Sequence, residues 1–425
     1  MPVRRKNHYE ITNDDYLKFP DVIHNYKERL LSVLKYETIE ELTGRVASLF
    51  YLIFKDLFLS ILDNKRTIWY VYHDHRWGFI SDSEMIEFIK YNLTEFCKHH
   101  ISLFKAEMDM IMRNIDTHST LSEVNTKLEK LETIYEKSTN RNLIHNILGE
   151  YAVYTFKKDF SEMKNMKPFI CFTNGVLDLT TGQFRDGNSE DYCTLSTNFS
   201  YEQNVNPSND IKLNKFLEEI FPNSDIRYNF LTYICYAIFG MYLKTKPLER
   251  VGDIDGIKRP VFLVGTGNNG ITTILNFIRK CFPDHFENIP YFTSRKDAEE
   301  TLFGDETHKS FHYRKFLVLN ECEDLEAGFE TISSLVGYDK KTFIVIRKHL
   351  LESDEDQEQL KFFHRIDFES IFVGEGQKQY AVPADRESQL LNKTFHRNMD
   401  IGRELEFLKS AFITLLLQHR KKIMK

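Results

Sequence analysis

The sequence predicts a mixed α/β chain: an α/β core over residues 251–385, preceded by an α-rich region and a small β-containing connector. Two patterns predict it. From Pro260 the chain reads strand, glycine-rich loop, helix, as VFLV, GTGNNG and ITTILNFIRKCF. Apolar runs at Lys315–Asn320, Phe343–Ile346 and Ser370–Val373 follow as further strands, and strands alternating with helices build α/β cores. Upstream, residues 82–165 carry charges and apolar residues at three-to-four spacing and contain no proline, the pattern of amphipathic helices.

The remaining elements follow in chain order. Residues 1–40 are a polar lead-in. A mostly helical N-terminal domain spans 41–165, opening with ELTGRVASLFYLIFKDLFLSIL at helical spacing. Within it, TIWYVYHDHRWGFIS alternates aromatic and polar residues and predicts two strands around a turn at His73–His75. Residues 121–137 suit a short coiled segment. A β-rich connector covers 166–210, where Asn174-Gly175, Thr181-Gly182 and Gly187-Asn188 punctuate short strands. A helical, collar-like segment covers 211–250, and a helical segment with a basic tail closes the chain at 386–425.

The 425 residues give room for two to four domains. Phe (35) and Tyr (21) are plentiful and Pro (10) is scarce, which speaks against long disordered stretches. The net charge of −7 speaks against a protein that coats nucleic acid, though not against a local basic surface. The six cysteines show no zinc spacing and read as reduced thiols. No apolar run is long enough to cross a membrane, and MPVRRKNHYE lacks the apolar stretch of a signal peptide. A cytosolic or nuclear compartment is therefore expected, without secretion. His73 and His75 share one strand face, but a polar turn outweighs a metal pair there.

The sharpest motif is the corner after VFLV. A P-loop reads G-x-x-x-x-G-K-[ST] between strand and helix. Here Gly265, Thr266, Gly267, Asn268, Asn269, Gly270, Ile271 and Thr272 fill the eight positions, with Thr273 next. Every element fits except the lysine, which is Ile271. Glycines turn backbone N–H groups toward an anion, a helix start favours negative charge, and Thr272 is the candidate Mg²⁺ ligand. Isoleucine cannot donate to a phosphate. A second signal is KFLVLNECED, a strand running into carboxylates, where Glu321 is the candidate base or metal–water ligand.

GTGNNGITT resembles the phosphate loop of superfamily 3 helicases, an AAA+-like group. NGVLDLTTGQFRDGNSEDY (174–192), SSLVGYDKKTFIVIRK and the LFYLIFKDLF…WYVYHDHRW region resemble the poxvirus-type primase–helicases of large DNA viruses, over roughly residues 41–420. The resemblance implies an ATP- and Mg²⁺-dependent homo-oligomeric ring, usually a hexamer, that tracks single-stranded DNA alongside replication proteins, at a cytoplasmic viral replication site or in a virion. It implies Thr272 and Glu321 at the metal, Lys340 and Lys341 near a DNA-facing hairpin, and Arg386 or Arg365 as an arginine finger. It leaves too few residues before position 41 for the family's primase module. Where the family's sensor strand ends in Asn, SIFVGEG offers Gly374 and Glu375. With Ile271, this departure implies weak or absent hydrolysis. Two readings stay open: a nucleotide-binding helicase-like protein, or a non-catalytic structural, assembly or regulatory paralogue that keeps the fold.

Overall fold

The computed structural model describes residues 32–113, 118–240, 261–265, 267–289, 314–320, 343–348, 364–374, 377 and 380–424. The chain divides into two compact units. The first holds residues 1–164 with 188–194, and the second holds 165–187 with 195–425.

The first unit is helices on a three-stranded antiparallel sheet. Helix α1 (Ile39–Phe54) starts where the Thr38 side chain accepts from the Glu41 N–H at 3.2 Å, with Glu40 and Glu41 in its first turn. It ends before residue 58. The predicted continuation of this helix to residue 62 is corrected: Phe58–Asp63 is a strand, β1, paired with β2 (Arg66–His73). A run such as FLSIL carries no periodicity that separates strand from helix, and cross-strand pairing decides it. The predicted hairpin is present, as β2 turns into β3 (Arg76–Ile80) through Asp74 and His75. Both have positive φ, 46° and 61°, which is the two-residue turn that suits strand twist. His73 pairs with Asp74 (Nδ1 to Oδ2, 3.1 Å), and no group of three His, Cys, Asp or Glu suited to a metal occurs among the described residues.

Helices α2 (Asp82–Arg113) and α4 (Arg141–Thr155) pack on this sheet, and α3 (His118–Lys137) packs against α2. Trp69 stacks on Tyr151 with centroids 5.8 Å apart, and Phe58 meets Phe88 edge-on at 4.6 Å. Burying such rings supplies much of the unit's stability.

The second unit opens with β4 (Phe169–Phe172), β5 (Gly175–Asp178) and β6 (Phe184–Arg185), a small antiparallel sheet. Two helices follow, α5 (Pro207–Ile220) and α6 (Ser224–Phe239). Asn206 and Asn223 cap them, and Pro207 sits at the first helical position, where its missing N–H costs nothing.

A five-stranded parallel sheet forms the centre. Its strands are β7 (Val261–Gly265), β8 (Phe286–Ile289), β9 (Phe316–Asn320), β10 (Phe343–Lys348) and β11 (His364–Phe368), in the order β11-β7-β10-β9-β8. Runs such as VFLV suit a sheet covered on both faces. The strand predicted at 370–373 exists as β12 (Ile371–Val373), but it is not the fourth core strand. It pairs instead with β13 (Thr394–His396), and His364–Phe368 takes the place beside β7. Polar alternation in HRIDF hides that strand from a search for apolar runs.

Helix α7 (Ile271–Cys281) follows β7, α8 (Arg386–Asn392) precedes β13, and α9 (Lys409–Ile423) closes the chain. Phe277 of α7 lies between Phe216 (5.9 Å) and Phe412 of α9 (5.1 Å). Ile170, Ile234, Phe262, Ile274 and Phe412 are fully buried. Among the described residues no helix is long and apolar enough to cross a membrane. Cys97, Cys171, Cys193, Cys235 and Cys281 are buried free thiols. Burial pushes the Cys97 thiol up to about 12, which makes it inert.

Candidate functional site: a glycine corner facing a cavity

Strand β7 delivers Gly265 to the carboxyl end of the parallel sheet, where ligands of open α/β sheets bind. The chain then turns through Gly267 (φ 92°), Asn268 (φ 50°) and Gly270 (φ 88°) before α7 begins. Left-handed residues this close together turn main-chain N–H groups into a shared concavity. At Gly270 a side chain is excluded twice over. Its φ is left-handed, and a Cβ would meet Ile220 at 3.1 Å and Phe372 at 3.2 Å. At Gly265 a Cβ would fall on the Asn269 amide.

The corner is pinned from below and from the side. The Phe372 N–H donates to the Asn268 carbonyl at 2.8 Å. Asn269 is buried, its Oδ1 accepts from the Ile271 N–H at 3.3 Å, and its Nδ2 has no partner among the described residues. Helices α4, α5 and α6 begin with an Asn side chain accepting their first N–H groups. Helix α7 begins with Gly270 and has no side-chain cap. Among the described residues, the N–H groups of Thr272 and Thr273 have no protein acceptor, so they are available to an anion.

A cavity of about 500 Å³ opens on this corner. Gly267–Gly270, Thr272 and Thr273 form one wall. Phe216, Glu219 and Ile220 of α5 form a second, and Phe372 with His396–Met399 and Ile401 a third. Ile271 is absent from the lining. Its side chain is 2% exposed and packs in the apolar core. The residue in the lysine position is thus an anchor under the corner.

Two guanidinium groups lie near the cavity. Arg386 is occupied: Nη1 donates to Glu219 at 2.7 Å, Nη2 to Glu218 at 3.5 Å, and its plane covers the Phe395 ring at 5.5 Å. Arg397 is exposed and lines the cavity. Its main-chain N–H donates to Val373 at 2.9 Å, and it makes no ion pair among the described residues.

The fold therefore gathers Gly267, Asn268, Asn269, Gly270, Thr272 and Thr273 around one cavity, with Gly265 beneath them. Arg386 reaches it only through Glu219. Arg365 lies on β11, bonds Asp367 at 2.7 Å and sits level with Phe262, three residues short of Gly265 (about 10 Å). It is not part of the lining. Strand β9 ends at Asn320, level with Arg347 and through it with Leu263, so its carboxyl end lies at the same edge as the corner. Thr266, Glu321, Lys340, Lys341 and Glu375 lie outside the described residues. The sequence reading missed Glu219, His396 and Arg397, which belong to no motif and reach the cavity only through tertiary packing.

Fold and corner together define an α/β protein able to hold an anion at a helix start. Its relatives narrow that class. Residues 51–222 match the family described as D5 N terminal like. The chain is 30% identical over 151 residues to the helicase-named protein 121R of Invertebrate iridescent virus 3, covering 35% of this chain and 14% of the relative. Against the helicase-named L207/L206 of Acanthamoeba polyphaga mimivirus, identity is 22% over an alignment of 446 positions, covering 98% of this chain and 43% of the relative. The helicase-named 184R of Invertebrate iridescent virus 6 is 35% identical over 81 residues, 19% of this chain and 8% of the relative. These matches support a relationship of this chain to the poxvirus-type D5 primase–helicase family. It spans less than half the length of these relatives.

Proposed function

We propose that the second unit is a P-loop core of AAA+-like, superfamily 3 type. In this reading it is the nucleotide-binding part of a helicase-related viral replication protein, and it turns ATP over weakly or not at all. One observation carries the proposal: the glycine corner and the Thr272 side face a cavity, while residue 271 faces the core. ATP and Mg²⁺ fit the residues present. The N–H groups of the corner would take the phosphates, and the exposed Thr272 hydroxyl would serve the metal. Bound Mg²⁺ would offset phosphate charge during transfer.

The same placement supports slow turnover. An ordinary P-loop lysine stabilises charge that develops on the β- and γ-phosphates. Losing one such donor costs on the order of 10²–10³ in rate. Main-chain donors remain, so binding outlasts catalysis in this reading. A homo-oligomeric ring on single-stranded DNA at a viral replication site follows from the family relationship as part of the same proposal.

The test is equilibrium binding and turnover of Mg·ATP by the whole chain, with and without single-stranded DNA, beside Thr272→Ala. Expected is measurable binding that Thr272→Ala weakens, with turnover at most a hundredth of a lysine-bearing relative's. Absence of nucleotide binding sinks the reading. Rapid DNA-stimulated hydrolysis keeps the helicase assignment but removes the claim of a weak site.

A further inference from the structure

We infer that Arg397 is the phosphate-site cation of this chain, taking up from the opposite wall the charge role that Ile271 cannot fill. The inference rests on the nucleotide reading above and names a further binding residue for that site. It starts from a charge count of the cavity lining. Among the described residues the lining holds one carboxylate, Glu219, and one guanidinium, that of Arg397. Glu219 is already paired with Arg386 at 2.7 Å. Arg397 has no carboxylate partner among the described residues, so its charge is available to a ligand.

Position supports the same role. Strand β12 lies between the corner and Arg397 and bonds to both. The Phe372 N–H holds the Asn268 carbonyl, and the Val373 carbonyl takes the Arg397 N–H at 2.9 Å. Two strand spacings, about 10 Å, therefore separate the Arg397 backbone from the corner. An extended arginine and a polyphosphate together fill that gap. The tether also fixes the residue's origin, so its cost of ordering falls on the side chain alone.

Chemistry supports it as well. A guanidinium carries a planar fork of donors that matches phosphate oxygens two at a time. The buried Asn269 Nδ2 has no partner among the described residues, which marks the corner as polar beyond what they satisfy. A cation on the wall facing the corner would contact the phosphates rather than the base. The site should accordingly discriminate by phosphate count.

The experiment measures binding of ATP, ADP and adenosine to the whole chain, with Mg²⁺, for wild type, Arg397→Ala and Arg397→Lys, at two salt concentrations. Arg397→Ala is expected to weaken ATP binding roughly ten- to a hundredfold, to leave adenosine binding unchanged and to flatten the salt dependence. Arg397→Lys should restore part of the loss. Equal loss for ATP and adenosine makes Arg397 a structural residue and overturns the inference. So does ATP affinity in Arg397→Ala equal to wild type, although that result leaves the nucleotide reading intact. If the wild type binds none of the three, the nucleotide reading itself fails and this inference fails with it. Thermal unfolding of each variant separates loss of fold from loss of contact.

Discussion

Placing a lysine at position 271, where a P-loop carries one, should damage the protein before it helps it. Ile271 is 2% exposed, and its Cδ1 lies 3.2 Å from where a Gly265 Cβ would stand. Replacing it with lysine removes the burial of a full aliphatic side chain, worth about 1.5–3 kcal/mol. It also leaves the ammonium two options. In the core it must shed its proton, since burial disfavours the charged form by several pH units. Alternatively it swings past Gly270 into the cavity and leaves a void below, which adds a cavity cost. Either route predicts a loss of about 2–5 kcal/mol. For a unit of this size each kcal/mol moves the melting midpoint by roughly 2–4 °C, so the midpoint should fall by about 4–20 °C. The pH dependence separates the routes. A lysine buried neutral binds fewer protons folded than unfolded, so the variant's stability deficit shrinks as pH rises toward 10. A lysine in the cavity shows no such slope and gains stability from added ATP. Scanning calorimetry from pH 6 to 10, with Ile271→Val (about 0.5–1.5 kcal/mol) as the mild control, makes the comparison. A variant as stable as wild type across that range would refute the placement of residue 271 in the core.

Two further outcomes follow from the same geometry. Gly270→Ala puts a Cβ at a left-handed φ against Ile220 and Phe372 and should cost about 1–3 kcal/mol while abolishing nucleotide binding; chemical denaturation beside a binding titration checks both. His419 is buried with Nε2 on the Thr232 hydroxyl at 2.9 Å, and burial, with Lys422 nearby, lowers its pKa to about 4. Its folded pKa lies below the unfolded value, so its contribution is present above about pH 6.5 and is lost as pH falls toward 4. Urea midpoints at pH 7, 5.5 and 4.5 should fall more steeply for wild type than for His419→Gln.

Local signals were legible in the sequence and long-range ones were not. The motif from Gly265 to Thr272 is contiguous in sequence, and Gly265, Gly267 and Gly270 answer to backbone geometry or close approach within a few residues. The turn at Asp74–His75 was legible for the same reason. Strand β1 was hidden because LFLSIL fits helix or strand equally, and its state is set by pairing with Arg66–His73. Strands β11 and β12 were exchanged in the reading. SIFV looks more like a core strand than HRIDF, yet the register to Val261–Gly265 goes to HRIDF. The cavity's third wall was invisible for a deeper reason. His396 and Arg397 are placed by a main-chain bond to Val373 and by the pairing of β12 with β13, and neither leaves a trace in local periodicity.

The position of Ile271 separates two properties that an intact P-loop joins. The donors that cradle an anion are main-chain groups, whose geometry depends on Gly267, Asn268 and Gly270 and on the bond from Phe372. None of these depends on the side chain at 271. That side chain instead joins the core cluster shared by α5, α6, α7 and α9, so it stabilises the corner from beneath. In the proposed nucleotide reading, an isoleucine at 271 would remove charge stabilisation from the reacting phosphates without loosening the cradle. On that reading, turnover and phosphate binding would depend on different atoms of the same eight residues. The glycines and Thr272 would serve binding, and the apolar residue at 271 serves the fold.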